Sequence, residues 1–108
     1  MTSERLAKLE RMLRDNRNLS EASRRELLDL VAGLRNEMAP LENTHAERAN
    51  QIAGSAEAAV RASIHEKSPH ATAALEGLAS SVREFEVSHP KLVEIVDQLA
   101  STLSNMGI

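Results

Sequence analysis

Four histidines, His45, His65, His70 and His89, are the side chains here that could ligate a metal or exchange protons near neutral pH. A metal site built on helices needs two ligands on one face, three or four residues apart, completed by Asp, Glu or Cys. His65 and His70 are five apart, with Pro69 between them. Glu66 and His70 are four apart but straddle a helix start at Ser68-Pro69. His45 lies near Glu42 and Glu47 only in sequence. The spacing predicts solvated histidines, with His89 fixing the turn before Pro90. A metal- or pH-responsive element using the histidines is kept as an alternative, and no cofactor is implied.

Nucleophilic catalysis finds less support. Serines are plentiful, but they fall at helix caps and on helix surfaces. The sequence has no Gly-x-Ser-x-Gly, no glycine-rich phosphate loop and no His-Glu-x-x-His. The carboxylates Glu84 and Glu86 are two apart, so on a helix they point to different sides. With one aromatic residue, Phe85, and an interior of Ala and Leu, a substrate pocket is hard to build. The expectation is a protein that is not an enzyme.

Basic residues recur every three positions at Arg5, Lys8, Arg11 and Arg14, and Arg24-Arg25 follow. Such a stripe can neutralise phosphates. Glu4, Glu10 and Asp15 sit at pairing distance along the same helix, the net charge is −3, and no Tyr or Trp is available to stack on bases. A solvated face is the expected identity of the stripe. A small nucleic-acid-associated regulator is the alternative it supports.

These residues are positioned by helices. The chain has 108 residues, enough for one domain, with 42% apolar residues, four Gly and three Pro. No run of β-branched or aromatic residues alternates with period two, so the fold class is all-α. Cysteine is absent, which excludes disulfides and thiolate chemistry and favours the cytoplasm. The charged N-terminus has no apolar segment of signal-peptide type, and no stretch approaches a membrane span.

Five helical segments are expected, at about 3–16, 20–38, 44–66, 69–87 and 90–106. Ser3 and Ser20 are candidate N-caps. Leu6, Leu9 and Leu13 form the first seam. Leu27, Val31, Leu34 and Met38 form the second, with Pro40 ending or kinking the helix near Met38. Thr44-His45-Ala46-Glu47 matches a capping box. The face that follows it, Ala49, Ile52, Ala53, Ala56, Val60 and Ile64, is poor in large residues. Such a helix either packs very closely on another or is the least stable element; the latter is expected, with a break near Gly54-Ser55.

The closing hairpin carries the most regular pattern. Leu75, Leu78, Val82 and Phe85 lead to Ser88-His89-Pro90, and Leu92, Val96, Leu99, Leu103 and Met106 follow. Ala73, Gly77 and Ser81 add a small-residue line, read either as a close-approach face or as tolerated surface. Gly107 and Ile108, with Leu103, fit a Schellman stop, which makes the last residue structural.

The run Val82-Arg83-Glu84-Phe85-Glu86, with His89-Pro90, Leu92, Leu99-Ala100 and Met106-Gly107-Ile108, resembles the C-terminal half of a bacterial family known as domain of unknown function 4404. Residues 4–36, including Leu19-Ser20-Glu21, are similar to its opening helices, and the Ala-rich stretch 42–70 departs from its pattern. The resemblance implies a bacterial, cytosolic, helical protein and transfers no catalytic residue.

The seams look too many and too thin for one deep core. The expected architecture is a helical bundle of four or five helices with coiled-coil-like hairpins. The expected function is a non-enzymatic interaction or scaffold module, self-associating as a homo-oligomer, a dimer foremost, or binding a partner helix through its seams. Charge is unevenly spread, +2 over residues 1–36 and −5 over residues 37–108, which allows head-to-tail attraction between copies.

Overall fold

Leucines at three- and four-residue spacing line one side of each opening helix, and burying those two stripes against each other makes the first hairpin. The computed structural model describes residues 2–16, 19–66 and 70–107, with side chains at 4–16, 19–64 and 71–105. Helix α1 spans Thr2–Asp15 and α2 spans Glu21–Thr44. Arg35 of α2 meets Glu10 of α1, and Arg24 reaches back to the Asn16 carbonyl, so the two helices run antiparallel. Ser20 caps α2 by accepting a bond from the Ser23 N–H at 3.2 Å. Helix α1 already includes Thr2 and Ser3, so Ser3 does not stand outside it as a cap.

Helix α2 does not stop at Met38. It runs through Pro40 to Thr44, about 36 Å long at 1.5 Å per residue. The buried stripe Leu27, Val31, Leu34, Met38 continues to Leu41, and burying Leu41 favours carrying the helix on. Pro40 and Asn36 are exposed, so water can reach the Asn36 carbonyl that Pro40 leaves without a donor.

One residue, His45, joins α2 to α3. Its N–H donates to the Leu41 carbonyl at 2.7 Å, closing α2, and its carbonyl accepts from Ala49 at 2.9 Å, opening α3. The capping box is therefore not formed. Thr44 ends α2 with its hydroxyl turned back to the Pro40 carbonyl, and α3 begins at Ala46 with no side-chain cap.

Helix α3 runs unbroken over Ala46–Arg61 and passes into a π-helical turn at Ala62–Glu66. No break occurs at Gly54-Ser55. Ala49, Ile52, Ala53, Ala56, Ala59 and Val60 are all fully buried. Small side chains let α3 approach its neighbours closely, so this face packs tightly where weak packing was expected. Gly54 serves the same closeness. Arg5 lies across it, donating to Asn50, and a Cβ at residue 54 would stand 3.2 Å from the Arg5 Nη1.

In the π-helical turn, the buried Ser63 hydroxyl has no hydrogen-bond partner. A buried, unmatched hydroxyl costs about 1–3 kcal/mol in desolvation. Ser63→Ala should therefore raise the melting temperature by a few degrees, and a lower melting temperature would contradict the assignment.

Helix α4 spans His70–Ser81, and the cap assigned to Ser68-Pro69 lies outside the described residues. The helix ends six residues before the expected position, at Ser81 and not at Val87. The Ser81 hydroxyl bonds the Leu78 carbonyl at 2.6 Å, and the chain tightens into a 3-10 turn at Arg83–Phe85. That turn keeps Val82 and Phe85 buried while bringing the chain round to His89. Helix α5 spans Pro90–Gly107, with Pro90 at its first position and the His89 carbonyl accepting from Leu92 and Val93. The helix includes Gly107, and the stop assigned to it rests on Ile108, which lies outside the described residues.

The protein is all-α, with five α-helices and no strand among the described residues. Neighbouring helices follow the order α1, α2, α5, α4, α3 and back to α1, with α2 and α3 also packed across the middle. The body measures 37 × 24 × 19 Å.

Candidate functional site

The residues expected to form association seams are the interior of the single chain. Leu6, Leu9, Leu13, Leu75, Leu78, Val82, Phe85, Leu92, Val96, Leu99 and Leu103 are buried in one continuous core. The Met106 side chain lies outside the described residues. Stripes that look thin one at a time close on one another because five helices share one centre. Binding a partner through them would require opening the bundle, so any partner surface has to be built from other residues. The small-residue line does not supply one by close approach within the chain: Ala73 and Gly77 are exposed, and a Cβ on Gly77 would meet nothing within 4 Å.

The histidines divide into two groups. His45 and His89, the residues at two helix junctions, both set their rings edge-on to Phe85, with centroids 5.6 and 5.5 Å away. The His45 Nδ1 pairs with the Thr44 hydroxyl at 2.8 Å and the His89 Nδ1 with the Ser88 hydroxyl at 2.9 Å. Sequence spacing does not bring these two positions together; the α2–α3 joint and the 3-10 turn do. The cluster braces the turns around the chain's one aromatic residue. The side chains of His65 and His70 lie outside the described residues, and among the described residues no three His, Asp or Glu side chains converge on a metal position.

The basic stripe of α1 is partly spent on structure. Arg5 is tied to Asn50, while Lys8, Arg11 and Arg14 are exposed. Glu10 does not serve the stripe. It is buried, and its Oε2 lies 2.7 Å from the Arg35 Nη1 of α2, close enough to pair the charges although not aligned as a hydrogen bond. Arg24 is also structural: it donates to the Asn16 and Leu19 carbonyls and pairs with Glu21, tying the α1–α2 connection.

The Glu10–Arg35 pair is asymmetric. The carboxylate side chain is 7% exposed and the guanidinium 39%. Removing Arg35 strands a buried charge, whereas removing the charge at Glu10 leaves a cation that water can reach. Arg35→Met should cost about 1–2 kcal/mol and Glu10→Gln less, with solvent screening at Arg35 limiting both. Equal losses in urea unfolding would contradict this account.

Among the described residues, two surface grooves gather charge of opposite sign, neither apparent from sequence spacing alone, while a third of about 400 Å³ between α4 and α5 holds Glu76 as its one charged residue. The larger of the two, about 720 Å³, runs between α2 and α5. Leu30 and Val93, both half-buried, lie in it, and Glu26, Glu86, Glu94 and Asp97 give it four carboxylates with no Lys or Arg in its lining. At one end the Thr102 hydroxyl donates to the Glu26 carboxylate at 3.0 Å, linking the two helices. The second groove, about 360 Å³, lies between α1 and α3. Lys8, Arg11 and Arg61 surround Leu9 and Met12 there, with Glu57 as the one acidic member. The signal available in sequence was the charge asymmetry between the two parts of the chain. The pairing of α2 with α5 and of α1 with α3 decides which charges meet.

No helix among the described residues is long and apolar enough to cross a membrane. No curated protein and no solved structure matches the chain. A family model matches residues 34–108, most of the chain. The match includes the Ala-rich middle, expected to depart from the pattern, and leaves out residues 1–33, expected to be similar to the family's opening helices. A helical body whose closing hairpin carries Phe85-Glu86, His89-Pro90 and Met106-Gly107, matched from the middle of α2 to the C-terminus, places this chain in the family described as domain of unknown function (DUF4404).

Proposed function

We propose that this protein is a non-enzymatic helical interaction module of the bacterial cytoplasm that works by self-association. The groove between α2 and α5 carries the reading. It is long, open along one side and partly apolar, and it is lined by carboxylates, amides and hydroxyls. An open groove of this kind does not exclude water from a reacting bond, but it suits the side of another helix. The seams close on one another in a single core, so self-association has to use this outer surface and not the seams.

The test is the mass of the full chain in solution, measured by sedimentation or light scattering at low ionic strength from 10 µM to 1 mM, a range on the order of that in which weak interfaces assemble. Mass rising above that of the monomer supports the reading. A monomer throughout overturns it.

A further inference from the structure

We propose that the occupant of the acidic α2–α5 groove is the basic α1–α3 groove of a second copy, so that copies join head to tail. The proposal rests on the self-association reading and specifies its partner. The two surfaces are complementary in sign: Glu26, Glu86, Glu94 and Asp97 on one, Lys8, Arg11 and Arg61 on the other. All seven of these charged residues are exposed. Each surface carries half-buried apolar side chains among its charges, Leu30 and Val93 on the acidic side and Met12 on the basic side, where the buried Leu9 forms the floor. Opposite charge steers the two together and sets which face meets which, while contact between the apolar residues excludes water.

Helix order determines the symmetry. Around the body, the α2–α5 groove and the α1–α3 groove are separated by the α1–α2 hairpin on one side and by α4 on the other. They face different directions, so one contact uses the acidic groove of one copy and the basic groove of the next. Such a contact is heterologous. A joined pair keeps one groove free at each end, so it grows until it closes as a ring or continues as an open chain. A two-fold dimer would instead bury one patch against itself.

Charge-reversal variants separate these cases. The double variant Glu94→Lys/Asp97→Lys loses the acidic groove and keeps the basic one. The double variant Lys8→Glu/Arg11→Glu does the opposite. All four positions are exposed, and far-UV circular dichroism verifies that each variant is folded. In sedimentation velocity at low salt, the wild type should show mass that rises with concentration. Each variant alone should be monomeric, its self-affinity down at least tenfold. Mixed, the two should form a 1:1 complex and stop there, because each contributes its one intact groove. Raising salt to about 0.5 M should dissolve both the wild-type assembly and the mixed pair.

Wild type that assembles while either variant assembles equally well overturns the head-to-tail arrangement but leaves self-association standing. The same holds for a mixture of variants that stays monomeric. A wild type monomeric at every concentration overturns both. A basic groove that binds a generic 20-base-pair duplex with steep salt dependence, lost in Lys8→Glu/Arg11→Glu while self-association persists, assigns that groove to nucleic acid and overturns the proposal.

Discussion

Phe85→Ala is expected to lower the stability of the fold by about 3–5 kcal/mol, the range for emptying a buried aromatic site. Phe85 is the one aromatic side chain in the chain and is almost completely buried. It sits on a 3-10 turn, where its N–H donates to the Val82 carbonyl and its own carbonyl accepts from the His89 N–H. Its ring meets the edges of His45 and His89, the residue that joins α2 to α3 and the residue that precedes α5. Losing it removes apolar burial and also loosens two junctions. A domain of this size has a total stability of about 5–15 kcal/mol, so the variant should melt ten degrees or more below wild type. Thermal unfolding followed by circular dichroism measures this directly. A drop of under about 1 kcal/mol would mean that Phe85 does not brace the turns. His45→Leu provides a comparison. It removes one edge contact and keeps apolar bulk, so it should cost well under half as much.

Ala53→Leu is expected to cost about 2–3 kcal/mol, at the upper part of the range for inserting extra methylenes into a packed core. Ala53 is fully buried on the alanine face of α3, and that face touches α1, α2 and α4. A larger side chain there must push helices apart along a whole contact line, because a helix moves as a unit. The same change at Ala58, which is exposed on the same helix, should be close to neutral. Urea unfolding of the two variants separates a packing effect from a helix-propensity effect, since the propensity change is the same at both positions. If Ala53→Leu were as stable as Ala58→Leu, α3 would not be packed at the close distance that its alanines imply.

The all-α class was legible from residue pattern because it depends on local periodicity. Leucine at three- and four-residue spacing, the Ser20 cap and Pro90 at a helix start each act within one or two turns of chain. Where local rules misled, a distant contact was responsible. Pro40 is a helix breaker by its own chemistry, yet the burial of Leu41 carries α2 past it. Thr44-x-x-Glu47 has the residues of a capping box, yet α2 runs through Thr44 and leaves it no cap to form. Alanine on α3 reads as weak packing when the helix stands alone and as close packing once its neighbours are in place.

The candidate surfaces were the least legible. Glu94 and Asp97 are recognisable as neighbours on one helix face, but Glu26 lies 68 positions before Glu94. Lys8 and Arg11 are recognisable in the same way, but Arg61 joins them from another helix. The amino-acid sequence alone determined the helices, the apolar stripes, the absence of thiol chemistry and the uneven charge, all of which are properties of composition or of short segments. The tertiary structure alone decided that the stripes face inward to make a single core and that some of the surface charges gather in an acidic groove and others in a mainly basic one. The physical reason is that side-chain spacing sets which face of a helix is apolar, whereas which helices share that face depends on how five of them fill one interior.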